Sequence, residues 1–337
     1  MPRDLDFIVP HYDETPDIME PLLDSIRLQR QVDQSRIGVI ISYDGPDAVE
    51  LPLDEWRERY PFAIEDVHPE RGGVSHTRNA GLDASDAAYV IFADADDCLL
   101  DARGLCFVLR EANAIHEDGP GFDFLLCDFI EETRMPDGTM TYVTHHGNTT
   151  FVHSQVARRQ WLVDNEIRFC DSIRVHEDAY YIQLCLATVN PSRCRLCSFQ
   201  WYLWCWRDES VCRHDPLYIQ KTYTSMIDAT SALIDQLIRR SMSEKAVDSV
   251  VSVVFDAYYT MNKGDWLNIN NKEYRDGVER RFAEFFAKYH KMWDDADQQR
   301  KVAISQVVRQ RSVLGGMLME AMTVDQWLDY VQDKYTE

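Results

Sequence analysis

The first 150 residues of this 337-residue chain contain no lysine; 11 arginines there face 31 aspartates and glutamates. That stretch supplies most of the net charge of −22. Such a surface repels polyanions over long range, which weighs against nucleic acid and anionic membranes as default partners. Residues 151–214 are near neutral, with 8 arginines against 7 acids, and an anionic substrate would have to approach there. No apolar run nears the roughly 18 residues of a membrane span. The opening MPRDLDFIVPHYDE is acidic where a secretory leader is positive, so a soluble cytoplasmic protein is expected. Repeats and low-complexity stretches are missing too. The nine cysteines are an odd number scattered through apolar segments. Cys194 and Cys197 form a C-x-x-C without a second pair at zinc spacing, so reduced thiols are expected in place of a structural zinc.

Alternation of strand and helix signals fills the first half. Leu5–Val9, Ile37–Tyr43, Phe62–Val67, Tyr89–Ala93 and Phe122–Phe129 read as strands. Residues 16–31, 74–84 and 101–116 read as helices between them. Strands that are apolar throughout predict an α/β fold, a mostly parallel sheet covered on both faces. Pro136-Asp137-Gly138 is a hairpin turn signal. Residues 154–164 and 178–188 read as helices and 198–206 as an aromatic strand. From about residue 216 four or five amphipathic helices follow, broken near Ser243, Gly264, Asp294 and Gly315-Gly316.

Polar residues gather where strands end. Asp94-Ala95-Asp96-Asp97 follows YVIFA, where carboxylates two apart can converge on a divalent cation. An acidic loop ahead of a helix would look the same. Arg71-Gly72-Gly73 leads a helix that carries Arg78 and Asn79, and its free N–H groups suit an anion. A glycine-led helix start is the plainer explanation. His176-Glu177-Asp178 opens an apolar helix, as a general base or as ordinary capping carboxylates. Trp204-Cys205-Trp206-Arg207 through His214 joins an aromatic strand to a possible phosphate clamp, or to a solvated loop.

Taken in order, these blocks resemble the family 2 glycosyltransferases with the GT-A fold. IVPHYDE, SYDG, RGGVSHTRNAGLDAS, AYVIFADADD, the stretch from FVHSQVARRQ to VHEDAYYIQLCLA, and WCWRDESV carry the likeness, over about residues 4–214. The resemblance implies a GT-A domain at 1–214, with a nucleotide-sugar-binding half at 1–100 and an acceptor half at 101–214. A helical region at 215–337 matches no family pattern. Pro10, Tyr12, Asp13, Glu14, Asp44, Arg78 and Asn79 would line the nucleotide pocket, with Asp94 and Ala95 at the ribose. Asp96, Asp97 and His214 would hold Mn²⁺ or Mg²⁺. Arg207 and Ser210 would contact the diphosphate. Asp178 would be the base, with Glu177 beside it. The family usually inverts at the anomeric carbon and uses a uridine-diphosphate sugar.

The Q-x-x-R-W segment of processive synthases is missing, which favours transfer of a single sugar. A cell-surface glycan is the leading acceptor. The IVPHYDE and HEDAYY blocks look closest to soluble phage-encoded members, so hydroxymethylated bases in DNA are the alternative acceptor, and the host cytoplasm the alternative location. A non-catalytic nucleotide-sugar-binding scaffold is the third reading. A nucleotidyltransferase is disfavoured, because no G-x-G-T-R loop follows the first strand. The C-terminal helices are expected to dimerise or to shape acceptor access.

Overall fold

In the computed structural model, residues 3–116, 119–208, 222–262, 272–313 and 322–335 are described. The chain divides into two compact units, residues 1–210 and 211–337.

In the first unit the apolar runs form buried strands. β1 (Leu5–His11) leads to helix α1 (Pro16–Arg27), then β2 (Ile37–Tyr43), α2 (Leu53–Arg59), β3 (Ala63–Val67), α3 (Val74–Ala84) and β4 (Tyr89–Phe92). β5 (Cys98–Leu99), α4 (Gly104–Asn113) and a small hairpin of β6 (Ile115–His116) and β7 (Gly119–Pro120) follow. Next come β8 (Phe124–Cys127), β9 (Phe129–Arg134), β10 (Met140–His145), β11 (Val156–Arg158), α5 (Arg159–Asp164), α6 (Glu177–Thr188), β12 (Cys194–Cys197) and β13 (Tyr202–Trp204). The main sheet has the order β12-β8-β11-β4-β1-β2-β3. β3, β2, β1 and β4 run parallel; β2 and β4 are buried along their length, as expected of inner parallel strands, whereas β3 at the sheet's edge carries Glu65 and Asp66.

Two local expectations are corrected. Residues 154–164 are not one helix: Val156–Arg158 form an antiparallel strand wedged between β4 and β8, and only Arg159–Asp164 are helical. Val156 is fully buried there beside Ile91 and Leu125, and that packing outweighs local helix propensity. The aromatic strand is also shorter than 198–206. It spans Tyr202–Trp204 and belongs to a second, four-stranded sheet of order β10-β9-β13-β5. The expected turn at Pro136-Asp137-Gly138 does join β9 to β10, with Gly138 at φ +87°.

α3 packs closely on β1. An added Cβ at Gly81 would lie 2.5 Å from Ile8 Cγ2, so only glycine lets helix and strand approach this far. Eight of the nine cysteines are described, and all eight are free thiols.

The second unit is helical: α7 (Tyr223–Arg239), α8 (Ser243–Met261), α9 (Lys272–Asp295), α10 (Gln298–Val313) and α11 (Val324–Tyr335). α8 supplies much of its core through Val250, Val251, Val254, Phe255 and Tyr258. Polar clips join neighbouring elements: Tyr259 shares a hydrogen bond with Ser305 at 2.7 Å, and Tyr258 donates to the Met322 carbonyl at 2.6 Å. The expected breaks at Gly264 and Gly315-Gly316 lie outside the described residues. Among those residues, no helix is long and apolar enough to cross a membrane.

Candidate active site

The carboxyl ends of β1, β2 and β4 open onto a cleft of about 370 Å³. Open α/β sheets bind ligands at this rim, where the chain leaves the sheet and side chains can converge. Pro10, Tyr12 and Glu14 enter the cleft from β1, Asp44 from β2, and Asp94, Ala95 and Asp96 from β4. Thr77 and Arg78 of α3 and Glu177 of α6 close it.

Each wall is fixed locally. Glu14 accepts the N–H of Tyr12 at 2.9 Å and meets His11 Nδ1 at 3.0 Å. Burial opposes ionisation of Glu14, but those two contacts outweigh it and hold its pKa below the usual value. Asp44 Oδ1 accepts the N–H groups of Gly72 and Gly73, at 2.8 and 2.9 Å, and so pins the turn that starts α3. Gly73 sits there at φ +83°, a conformation that favours glycine. Arg71 lies over the Tyr12 ring, its guanidinium carbon 4.7 Å from the centroid.

Arg78 is the centre of the site and is 2% exposed. Its Nη2 donates to Asp94 Oδ1 at 2.8 Å. Its Nη1 donates to Asp178 Oδ1 at 2.6 Å and to Glu177 Oε1 at 3.3 Å. Asp178 Oδ2 also accepts the N–H of Val152 at 3.1 Å. His176, in the left-handed region at φ +68°, directly precedes α6, whose first turn carries both carboxylates. One guanidinium thus serves three carboxylates, and their charges do not balance. Burial, reinforced by neighbouring Asp178, pushes Glu177 up to about 7 despite Arg78. Burial opposes ionisation of Asp94 as well, yet Arg78 and His153 together hold it below its usual value.

The other acidic residues diverge. Asp96 faces the cleft, and burial together with Asp94 pushes it up to about 6 against the pull of Arg207. Arg207 Nη1 lies 3.6 Å from Asp96 Oδ2 and 4.0 Å from Glu14 Oε1. Asp97 is fully buried behind the cleft. It accepts the Tyr202 hydroxyl at 2.7 Å and the Cys205 N–H at 2.9 Å, tying β13 to the acidic turn. Asp94, Asp97 and His153 bring one ligand atom each to within 4.8 Å of one another, a set that could hold a metal ion. Asp96, by contrast, presents its strained carboxylate to the cleft itself, where a cation would relieve the repulsion from Asp94.

Several expected residues are placed elsewhere. Asn79 lines no part of the cleft; it clamps the backbone of Phe169 through both amide atoms, at 3.0 Å each, and reaches Asp171 at 3.1 Å. Asp13 is exposed and also outside the lining. Asp97 stands behind the wall and not in it. Ser210 and His214 lie outside the described residues. His153 is a site residue that the sequence did not suggest. It stacks within 5.0–5.6 Å of Trp204, Tyr202 and Phe151, with Nδ1 3.5 Å from Asp97 Oδ2.

Comparison with known proteins adds independent findings. Residues 6–118 match the family described as glycosyl transferase family 2. The minor teichoic acid biosynthesis protein GgaB of Bacillus subtilis (strain 168) is 25% identical over 162 residues, 44% of this chain. The chain spans only 17% of that relative's length. Solved structures of S. aureus TarS 1-349 share the fold at 14% identity, covering 99% of this chain and 91% of theirs. The TM-score is 0.61 for the complex with UDP and 0.64 for the complex with UDP-GlcNAc.

Proposed function

We propose that this protein, whose residues 6–118 match glycosyl transferase family 2, moves one sugar from a nucleotide-diphosphate sugar to an acceptor hydroxyl, with inversion. One observation carries the reading: Arg78, in the wall of the acidic cleft, bridges Asp94 of that wall to Asp178, which stands just behind the lining beside Glu177 at the start of α6. Donor-binding and proton-accepting groups are thereby held in one frame. Uridine is the nucleotide we propose, in keeping with the UDP and UDP-GlcNAc complexes of the TarS structures. The name of the B. subtilis relative supports a cell-surface polymer as acceptor.

The acceptor oxygen attacks C1 of the sugar opposite the diphosphate, and the C1–O bond to the diphosphate breaks with the electron pair leaving on the phosphate oxygen. Asp178 takes the proton of the attacking hydroxyl. Its two oxygens are oriented by Arg78 and the Val152 N–H, so the base does not have to find its geometry during the reaction. Glu177 beside it is pushed up to about 7 by burial and by Asp178, so it holds a proton more readily than an ordinary carboxyl. Arg207 stands over Asp96 and Glu14, where donor phosphates would draw it inward. Mn²⁺ or Mg²⁺, held by Asp96 with Asp94, would supply further charge neutralisation for the departing diphosphate.

Asp178→Asn is expected to remove transfer while leaving UDP-sugar affinity within about twofold of the parent, since the amide keeps the shape but not the basicity. Product formation and calorimetric titration of UDP-sugar measure the two parts. Near-full turnover in that variant would reject Asp178 as the base.

A further inference from the structure

Two of the free thiols meet beside the acidic turn. Cys98 follows Asp97 directly and forms β5 with Leu99. β13 runs antiparallel to β5 with Leu203 opposite Cys98, so Cys205, two residues on from Leu203, falls diagonally across from Cys98. Their Sγ atoms are 3.6 Å apart. The surrounding bonds hold them there. Asp97 accepts the Cys205 N–H at 2.9 Å and the Tyr202 hydroxyl at 2.7 Å, and Cys205 Sγ lies 3.7 Å from the Leu203 carbonyl oxygen. Two residues beyond Cys205, Arg207 reaches Asp96 at 3.6 Å. The thiol pair therefore joins the acidic turn to the strand end that carries Arg207.

We propose that Cys98 and Cys205 are a site of reversible oxidation by a peroxide, and that their disulfide holds the Arg207 strand end against the acidic turn and weakens donor binding. At 3.6 Å, small side-chain rotations bring the two sulfurs into bonding range. One thiol, as thiolate, attacks a peroxide oxygen and becomes a sulfenic acid as water leaves. The second sulfur then displaces water from it and closes the S–S bond. Two thiols and one hydrogen peroxide give one disulfide and two waters, with two electrons passing from sulfur to oxygen. Thiols that serve packing alone sit deep in the core, as Cys185 and Cys127 do at 0% and 1% exposed, whereas Cys98 and Cys205 are both half-buried and within reach of a small oxidant. Cys127 is also the register partner of Cys197, but its burial shields that pair. The effect on the donor rests on the glycosyltransferase reading above: Arg207 must leave Asp96 and Glu14 for the diphosphate, and a covalent link two residues away restrains it. The oxidation itself does not rest on that reading.

The test treats the full chain with hydrogen peroxide, removes the peroxide, alkylates the remaining thiols and maps peptides without reduction. A Cys98–Cys205 link should appear, and a phosphine reductant should remove it. Calorimetric titration with UDP and Mn²⁺ gives the second readout. Affinity should fall roughly fivefold to tenfold on oxidation, the size of one weakened arginine–phosphate contact, and return on reduction. In Cys98→Ser, peroxide should leave UDP affinity where it was, with Cys98→Ala as the substitute if the serine protein does not fold. Absence of the Cys98–Cys205 link, a Cys127–Cys197 link in its place, or an oxidised parent that binds UDP as tightly as the reduced one would overturn the proposal. Peroxide sensitivity that persists without Cys98 would do the same. If the reduced parent binds no UDP, the donor reading fails, and the mapped link alone decides the oxidation site: its presence upholds the site and its absence refutes it.

Discussion

Arg78 meets three carboxylates from two parts of the chain, so its loss should be felt in both folding and catalysis. Arg78→Met leaves Asp94, Glu177 and Asp178 facing one another without the cation. Removing one partner of a buried ion pair costs about 3–5 kcal/mol, and denaturant unfolding should show a loss of that order. Glu177 gives a pH signature. Its carboxyl is raised from 4.5 to about 7 by burial and by Asp178. Between those values the folded protein keeps a proton that the unfolded chain releases, so stability falls as pH rises through that window. Asp96, raised to about 6, acts in the same direction over a narrower range. Melting temperatures of the metal-free protein should therefore drop from pH 5 to pH 7. Glu177→Gln should flatten that drop, and a melting curve unchanged by the substitution would show that Glu177 is not the strained carboxyl.

At the scale of elements, α3 is the part whose position matters most, because it carries Arg78. Gly81 allows its approach to Ile8, and Gly81→Ala should push the helix off β1 at a cost of about 1–3 kcal/mol. Thermal unfolding would measure this, together with weaker UDP binding as Arg78 moves. The inner parallel strands β1, β2 and β4 were legible in the sequence because each is a largely apolar run with acidic residues at or just beyond one end. β11 was not: three residues are too few to show a period, and VARRQWLVD has helical spacing. Asn79 looked like a ligand because it adjoins Arg78. Consecutive helical residues point about 100° apart, so a helix that turns Arg78 into the cleft turns Asn79 away. His153 gave no signal, since its neighbours Asp97 and Trp204 are distant in sequence and meet it only through sheet pairing and ring stacking. Asp97 shows another limit: adjacency to Asp96 suggested a shared cation, but the turn sends its carboxylate inward, where it meets Asp94 and His153 in a set that could hold a metal ion.

For the whole molecule, the uneven charge is the property that bears on partners. With 31 acids in the first 150 residues and a net charge of −22, duplex DNA should not bind measurably even at low salt, where attraction would be strongest. Salt-sensitive DNA binding in a gel or anisotropy assay would restore the hydroxymethylated-base acceptor that the sequence left open. The claim beneath all of this is that the cleft between Asp44, Arg78 and Asp96 binds a nucleotide-diphosphate sugar with a metal ion. The measurement that tests it most directly is a thermal-shift panel of UDP, UDP-GlcNAc and other nucleotide sugars, each with and without Mn²⁺, on the parent and on Asp96→Ala. A ligand that binds the folded state raises the melting temperature by mass action. A rise with a uridine-diphosphate sugar that requires Mn²⁺ and disappears in Asp96→Ala is the predicted result. No rise with any nucleotide in the presence of the metal, or a rise that Asp96→Ala leaves intact, would contradict it.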